Sequence, residues 1–274
     1  MMSHSITAVA PTAADTWTAV GTITVPAGAK SLKKVIFAVS HDAGTAAALI
    51  HWTPAFRLIG SGLLEQSPHE YVGNGDDIAL VAATAGQAIA RTKPITYDVD
   101  IGVAVGGTID VQCNSLDEVA TGQVTALLIF STEEPKGVNS MSQYVDAAIP
   151  AAADAWTTVG TITVPQAKAG NSPKRIREIV CGFMPDIAAT AVSERVATRF
   201  RITGSGLDEG GNHEYIGSQA GCGNVVTGPG VYDDMLVRYP IDLPVNPGGQ
   251  ILVETIHDTE LCDGGTSVFG VLYD

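Results

Sequence analysis

From Asp15 to Val25 the chain alternates. Trp17, Ala19, Gly21, Ile23 and Val25 fall on one parity, and Thr18, Thr22 and Thr24 on the other. Period two is the mark of a half-buried strand, so this stretch predicts a strand with Trp17 on its apolar face. Pro26-Ala27-Gly28 closes it with turn chemistry. Similar runs follow at Ser5–Val9, Leu32–Ser40, Ile95–Val105, Thr108–Asn114 and Gln123–Ser131, and Ala46–Gly60 is extended but broken at Pro54. Ile78–Arg91 is ambiguous, because its Ala-rich pattern allows a short helix that Gly86 weakens. Together these runs predict about eight short strands at the spacing of a sandwich or barrel.

The pattern then starts again. Asp154–Pro165 repeats the Trp17 strand, with Trp156 at an offset of 139, and Lys174-Arg175 repeats Lys33-Lys34 at 141. Phe200-Arg201-Ile202-Thr203-Gly204-Ser205-Gly206-Leu207 repeats Phe56-Arg57-Leu58-Ile59-Gly60-Ser61-Gly62-Leu63 at 144. His213-Glu214-Tyr215 repeats His69-Glu70-Tyr71 at the same offset. A drift confined to the segments between strands is how loop insertions behave. Glu133-Glu134-Pro135-Lys136-Gly137 reads as a linker, which sets a first jelly-roll module at 1–137 and a second at 138–274. The predicted fold is all-β: two tandem jelly-roll-like β-barrels or sandwiches related by internal duplication. Several loops are long, which favours Greek-key over strict up-and-down pairing.

Composition narrows the function. Hydrophobic residues are 45% of the 274, charged residues only 16%, and Gly and Pro number 30 and 14. That mix suits many short strands and tight turns. The net charge of −14, with no basic arm, argues against direct nucleic-acid binding and against docking on anionic lipid. Met1–Ala10 has no basic n-region or apolar h-region, so neither a signal peptide nor a transmembrane segment is expected. Four cysteines at 113, 181, 222 and 262 form no C-x-x-C pair and are not matched between modules. Free or buried thiols are expected, with Cys222 and Cys262 the pair to check.

The candidate chemistry is thin. His69-Glu70 and His213-Glu214 suggest a metal or an acid–base pair, but adjacent strand residues point to opposite faces. The expected arrangement is a strand start with Tyr71 and Tyr215 packed and the His and Glu on the rim. The chain contains no His-x-His for a barrel metal site. Asp76-Asp77, Asp233-Asp234 and Asp258 lack the pattern of a calcium loop. Ser61 and Ser205 lie in Gly-Ser-Gly, which fits a turn needing positive φ better than a nucleophile elbow. No catalytic, cofactor or metal residue is assigned, and the chain is not expected to be an enzyme. Lys33, Lys34, Lys174 and Arg175 recur as basic pairs in an acidic protein, and are either solvated strand starts or inter-subunit contacts that meet acidic loops of a neighbour. Arg57 and Arg201 either serve similarly or pin the following loop through its carbonyls.

Two tandem β-barrels with paired Trp17/Trp156, Phe56-Arg57/Phe200-Arg201 and His-Glu-Tyr signatures resemble the double jelly-roll major capsid proteins of icosahedral viruses infecting bacteria and archaea. The resemblance implies a structural virion protein that self-assembles as trimers, giving pseudo-hexameric capsomers of an icosahedral shell. It implies further virion proteins as partners, an internal membrane beneath the shell in many members, and assembly in the host cytoplasm. The competing class is a tandem β-sandwich binding module, a lectin, adhesin or virion surface protein. An exposed aromatic platform or a loop calcium site would favour it, and of the tryptophans Trp52 alone is free for the former.

Overall fold

The computed structural model describes residues 1–9, 15–41, 50–52, 54–65, 68–73, 76–79, 89–90, 94–115, 122–136, 142–148, 155–166, 172–185, 194–222, 236–257 and 265–274. Among them every regular element is a strand. The first half contributes β1 (Met2–Val9), β2 (Thr18–Thr24), β3 (Ser31–His41), β4 (Ile50–Trp52), β5 (Pro54–Ile59), β6 (His69–Val72), β7 (Asp76–Ala79), β8 (Ile89–Ala90), β9 (Ile95–Gly102), β10 (Thr108–Ser115) and β11 (Gly122–Ser131). The second contributes β12 (Ser142–Ala148), β13 (Thr157–Thr163), β14 (Arg175–Pro185), β15 (Glu194–Thr203), β16 (His213–Cys222), β17 (Leu236–Pro244), β18 (Gln250–His257) and β19 (Gly265–Tyr273).

Strand order decides the architecture. The first half builds two four-stranded antiparallel sheets, β1-β11-β3-β9 and β2-β10-β5-β6. The second half builds β12-β19-β14-β17 and β13-β18-β15-β16, the same orders strand for strand. The chain repeatedly crosses between sheets, and the first and last strands of each half lie side by side. Eight strands so interleaved in two sheets make a jelly roll of two Greek keys. The chain is a tandem jelly roll. β4, β7 and β8 add a three-stranded sheet, order β4-β7-β8. The ends of the ambiguous 78–91 stretch are therefore strand, and residues 80–88, where its helix would lie, are outside the described residues.

Each half encloses its own core. In the first, Phe37 stacks on Phe56 at 4.1 Å between centroids, with Tyr71 and Tyr97 beside them. In the second, Phe200 and Phe269 meet at 5.7 Å. Each of these rings is fully buried, and burying one contributes about 2–3 kcal/mol.

Trp17 does not lie on the apolar face of its strand. Gly21 pairs with Val111 and Ala19 with Gln112, so Val20 is an extra residue, and β13 carries the same bulge at Val159. A bulge reverses side-chain parity. Val20, Ile23 and Val25 therefore point into the core, while Trp17 turns outward. Strict alternation, which mispredicted Trp17 and Trp156, assumes an uninterrupted ladder.

The Gly-Ser-Gly turns lock onto the later Gly-Gly turns. Gly60 has φ +126°, and a methyl there would overlap the Thr108 carbonyl oxygen. Thr108 N donates to Ser61 Oγ at 3.2 Å, Gly62 N to Thr108 O at 2.8 Å, and Ala104 N to Gly62 O at 3.0 Å. In the second half Gln250 N donates to Ser205 Oγ at 3.2 Å and Gly206 N to Gln250 O at 2.8 Å. The serines are turn residues, as their setting predicted. The segment after β11 is tied to the first half: Ser31 Oγ donates to Glu133 O, Lys30 pairs with Glu134 at 2.7 Å, and Lys136 N donates to Asp100.

Candidate functional site

The two copies of His-Glu-Tyr have different surroundings. His69 and Tyr71 are fully buried and Glu70 is partly so, whereas His213 and Tyr215 are half-buried and Glu214 is exposed. His69 is thus inside the protein and not on the rim expected for it. Its Nε2 lies 3.9 Å from Glu65 Oε2, and burial pushes the Glu65 carboxyl up to about 7. Burial also raises Glu70, opposed by the Arg57 charge. Among the described residues no group of three or more His, Cys, Asp or Glu side chains is placed to hold a metal. Cys113 and Cys181 are free and buried. The Cys222–Cys262 pair, and the side chains of His41, His51, Trp52, Asp76, Asp77 and His257, lie outside what is described, as do Asp233, Asp234 and Asp258.

The basic residues are engaged within the chain. Lys33 pairs with Asp100, Lys34 with Asp98 at 2.7 Å, and Arg175 with Asp242. Lys174 is exposed. Arg57 Nε donates to Gln112 Oε1 at 2.9 Å, and its guanidinium lies 4.4 Å over the outward Trp17 ring. Arg201 donates to Glu254 at 2.8 Å and lies 4.3 Å over Trp156. Arg57 and Arg201 therefore each cap a tryptophan and hold a cross-strand partner. Such a cation–π contact is worth about 0.5–1 kcal/mol at an exposed site.

The most developed surface is the one between the two barrels. The outer face of sheet β12-β19-β14-β17 packs on the β6 and β9 edge of the first barrel. Val268 and Val72 share a buried cluster with Ala55, Trp17, Tyr144 and Leu236, and Val180 and Leu272 join the first barrel's core. Trp17 meets Tyr144 edge-on at 6.2 Å. Tyr97 Oη donates to Val72 O at 2.6 Å inside this contact. Arg238 holds Glu178 at 2.5 and 3.0 Å, covers the Tyr97 ring at 4.8 Å, and donates to Thr96 O at 2.7 Å. Arg177 donates to Asp98 O. Burial raises the Tyr71 and Tyr97 phenols well above their usual range. The Tyr97 phenol, held neutral in this way, acts here as a hydrogen-bond donor, and the Tyr71 ring packs against Phe37 and Tyr97.

Sequence reasoning missed Tyr97, Arg177, Arg238 and Val72. A signal was present in β19, where Val268-Phe269-Gly270-Val271-Leu272-Tyr273 is apolar without alternation. A strand buried on both faces reads in this way. Its counterpart β11 keeps Thr125 among its outward positions and alternates buried with partly exposed.

The chain matches no protein-family model, and a search of curated proteins gives no match. Among solved structures it is similar to the STIV major capsid protein, at 9% identity and TM-score 0.45, over 100% of this chain and 97% of that one. It is similar to the major capsid protein P2 of bacteriophage PM2, at 11% identity and TM-score 0.35, over 99% and 97%. The glycosylasparaginase PNGase F of Flavobacterium meningosepticum is similar at 10% identity and TM-score 0.39, over 99% and 96%. The jelly-roll assignment rests on the strand orders above.

Proposed function

We propose that this chain is a structural virion protein, a major capsid protein of two jelly-roll modules, 1–137 and 138–274, that self-assembles into an icosahedral shell. The observation that carries the proposal is the asymmetry of the two modules. One barrel's outer sheet face is covered by the other barrel, and the equivalent face of that other barrel has no such cover among the described residues. A repeat unit with one satisfied and one open copy of the same contact is built to meet further copies of itself.

In this proposal three chains form a capsomer of six barrels, a pseudo-hexamer able to tile a shell. Lys33, Lys34, Lys174, Arg175, Arg57 and Arg201 lie at or near subunit contacts, and the acidic surface leaves genome contact to other virion proteins. A membrane inside the shell is compatible with it. The protein works in the virion after assembly in the host cytoplasm, without catalysis or cofactor.

The test is light scattering with negative-stain imaging of the purified chain over a range of concentration and salt. Trimers, hexagonal particles or shells are expected. A monomer at every concentration overturns the proposal and returns attention to a tandem binding module.

A further inference from the structure

Val72 and Ile216 are equivalent residues with opposite surroundings. Tyr97 Oη donates to Val72 O at 2.6 Å, and Tyr239 Oη donates to Ile216 O at the same distance. Each is the last apolar residue before the glycine that follows His-Glu-Tyr. Val72 is 2% exposed because the second barrel covers it, its Cγ2 lying in ordinary contact range of a methyl built on Gly270. Ile216 is 60% exposed, one of the few large apolar side chains on the described surface.

The receiving face is duplicated too. Ladder register aligns Leu272, Gly270 and Val180 of the covered face with Ile129, Leu127 and Ile36 of the first barrel. Ile129, Leu127 and Ile36, with Ala38, form a half-exposed apolar centre. Ser3 and Ser5 border it on β1, and Lys34 and Asp98 on the other side. Lys33 is the bulged residue of β3, as Arg177 is of β14, so the register makes Arg177 the repeat of Lys33, in place of the Lys174-Arg175 pair that the sequence suggested. Arg177, like Arg238, reaches a backbone carbonyl of the opposing barrel's edge.

We propose that the β16–β17 edge of one copy, with Ile216 as its central apolar side chain, docks on the outer face of sheet β1-β11-β3-β9 of a second copy, over Leu127 and Ile36. The occupant is a second copy because this edge and this face are the repeats of the edge and face already joined within the chain. Lys33 then takes the place of Arg177 and donates to carbonyls of the partner's β17 edge. Ile216 over Leu127 is bulkier than Val72 over Gly270, so this contact is wider than the internal one. The contact is heterologous, face to edge, and such contacts propagate until they close a ring. The proposal rests on the self-assembly proposed above and adds which surfaces meet.

The experiment uses the full chain. Ile216→Asp and Leu127→Asp change partly exposed positions, and circular dichroism confirms that each variant folds. Each is expected to raise the concentration for half-assembly at least a hundredfold, with Val9→Asp, also on an exposed site, as the control that does not. Separately, Ile216→Cys and Leu127→Cys chains are mixed and treated with a short bismaleimide. An inter-chain product that needs both variants supports the docking. Wild-type chains that assemble while both Asp variants assemble equally well, with no such product, overturn the docking and leave self-assembly standing. Wild-type chains that stay monomeric overturn both.

Discussion

The two tyrosine hydrogen bonds allow a matched-pair experiment. Tyr97→Phe and Tyr239→Phe each delete one hydroxyl donating to a backbone carbonyl at 2.6 Å, at equivalent places in the duplicated fold. Tyr97 is 1% exposed and its acceptor Val72 2%. Deleting the donor there removes a hydrogen bond worth about 0.5–1.5 kcal/mol and strands a carbonyl from solvent at about 1–3 kcal/mol. A total near 2 kcal/mol is expected. Tyr239 is partly exposed and Ile216 largely so, so water replaces the lost donor and the cost is about 0.5 kcal/mol or less. With a urea slope of about 2–3 kcal/mol per molar, Tyr97→Phe lowers the unfolding midpoint by roughly 0.7–1 M, and Tyr239→Phe by no more than about 0.2 M. Tryptophan fluorescence in urea, on dilute protein, measures both. Equal shifts would refute the claim that the barrel–barrel contact buries the Val72 edge and leaves the Ile216 edge open.

Three further outcomes follow from particular residues. Burial raises the Glu65 carboxyl from 4.5 to about 7, so the folded state holds its proton more tightly than the unfolded chain. The associated stability is full below pH 4.5 and is lost as pH rises to about 7. After discounting for nearby solvent the swing is about 1–2 kcal/mol. Glu65→Gln should flatten this part of the stability–pH curve measured in urea, and parallel wild-type and variant curves would sink the assignment. Gly204→Ala sets a side chain at φ +121° against the Gln250 carbonyl, whereas Gly210 has nothing within 4 Å of a built Cβ. The former should cost about 3 kcal/mol or more and the latter less than about 0.5 kcal/mol, read as urea midpoints; equal effects would argue against the locked turns. Burial raises the Cys113 and Cys181 thiols, Cys181 to about 12. In a Cys222→Ser/Cys262→Ser variant a thiol reagent at pH 8 should titrate neither until the chain unfolds, and prompt reaction in native buffer would contradict the burial.

Most of the fold was legible in the chain because period-two alternation and turn glycines act locally. The strands, the Gly-Ser-Gly turns and the duplication all follow from spacings within a few residues, or from self-comparison. The direction of Trp17 was not legible. One extra residue at Val20 reverses parity, and whether a ladder bulges depends on the register of β10, which lies far along the chain. Arg57 over Trp17 follows from that bulge, and only the recurrence of both residues as pairs hinted at it.

The sequence by itself determined that the protein is two copies of one all-β unit, since burial of alternating side chains admits no other regular structure for these runs. The tertiary structure alone decided that the copies are not equivalent. His69, Tyr71 and Val72 are buried while His213, Tyr215 and Ile216 are not, although the two stretches are nearly identical in sequence. The difference comes from which surface of each barrel meets the other. A head-to-tail contact between two like units uses one edge and one face, and among the described residues it leaves the second edge and the second face uncovered by the other barrel.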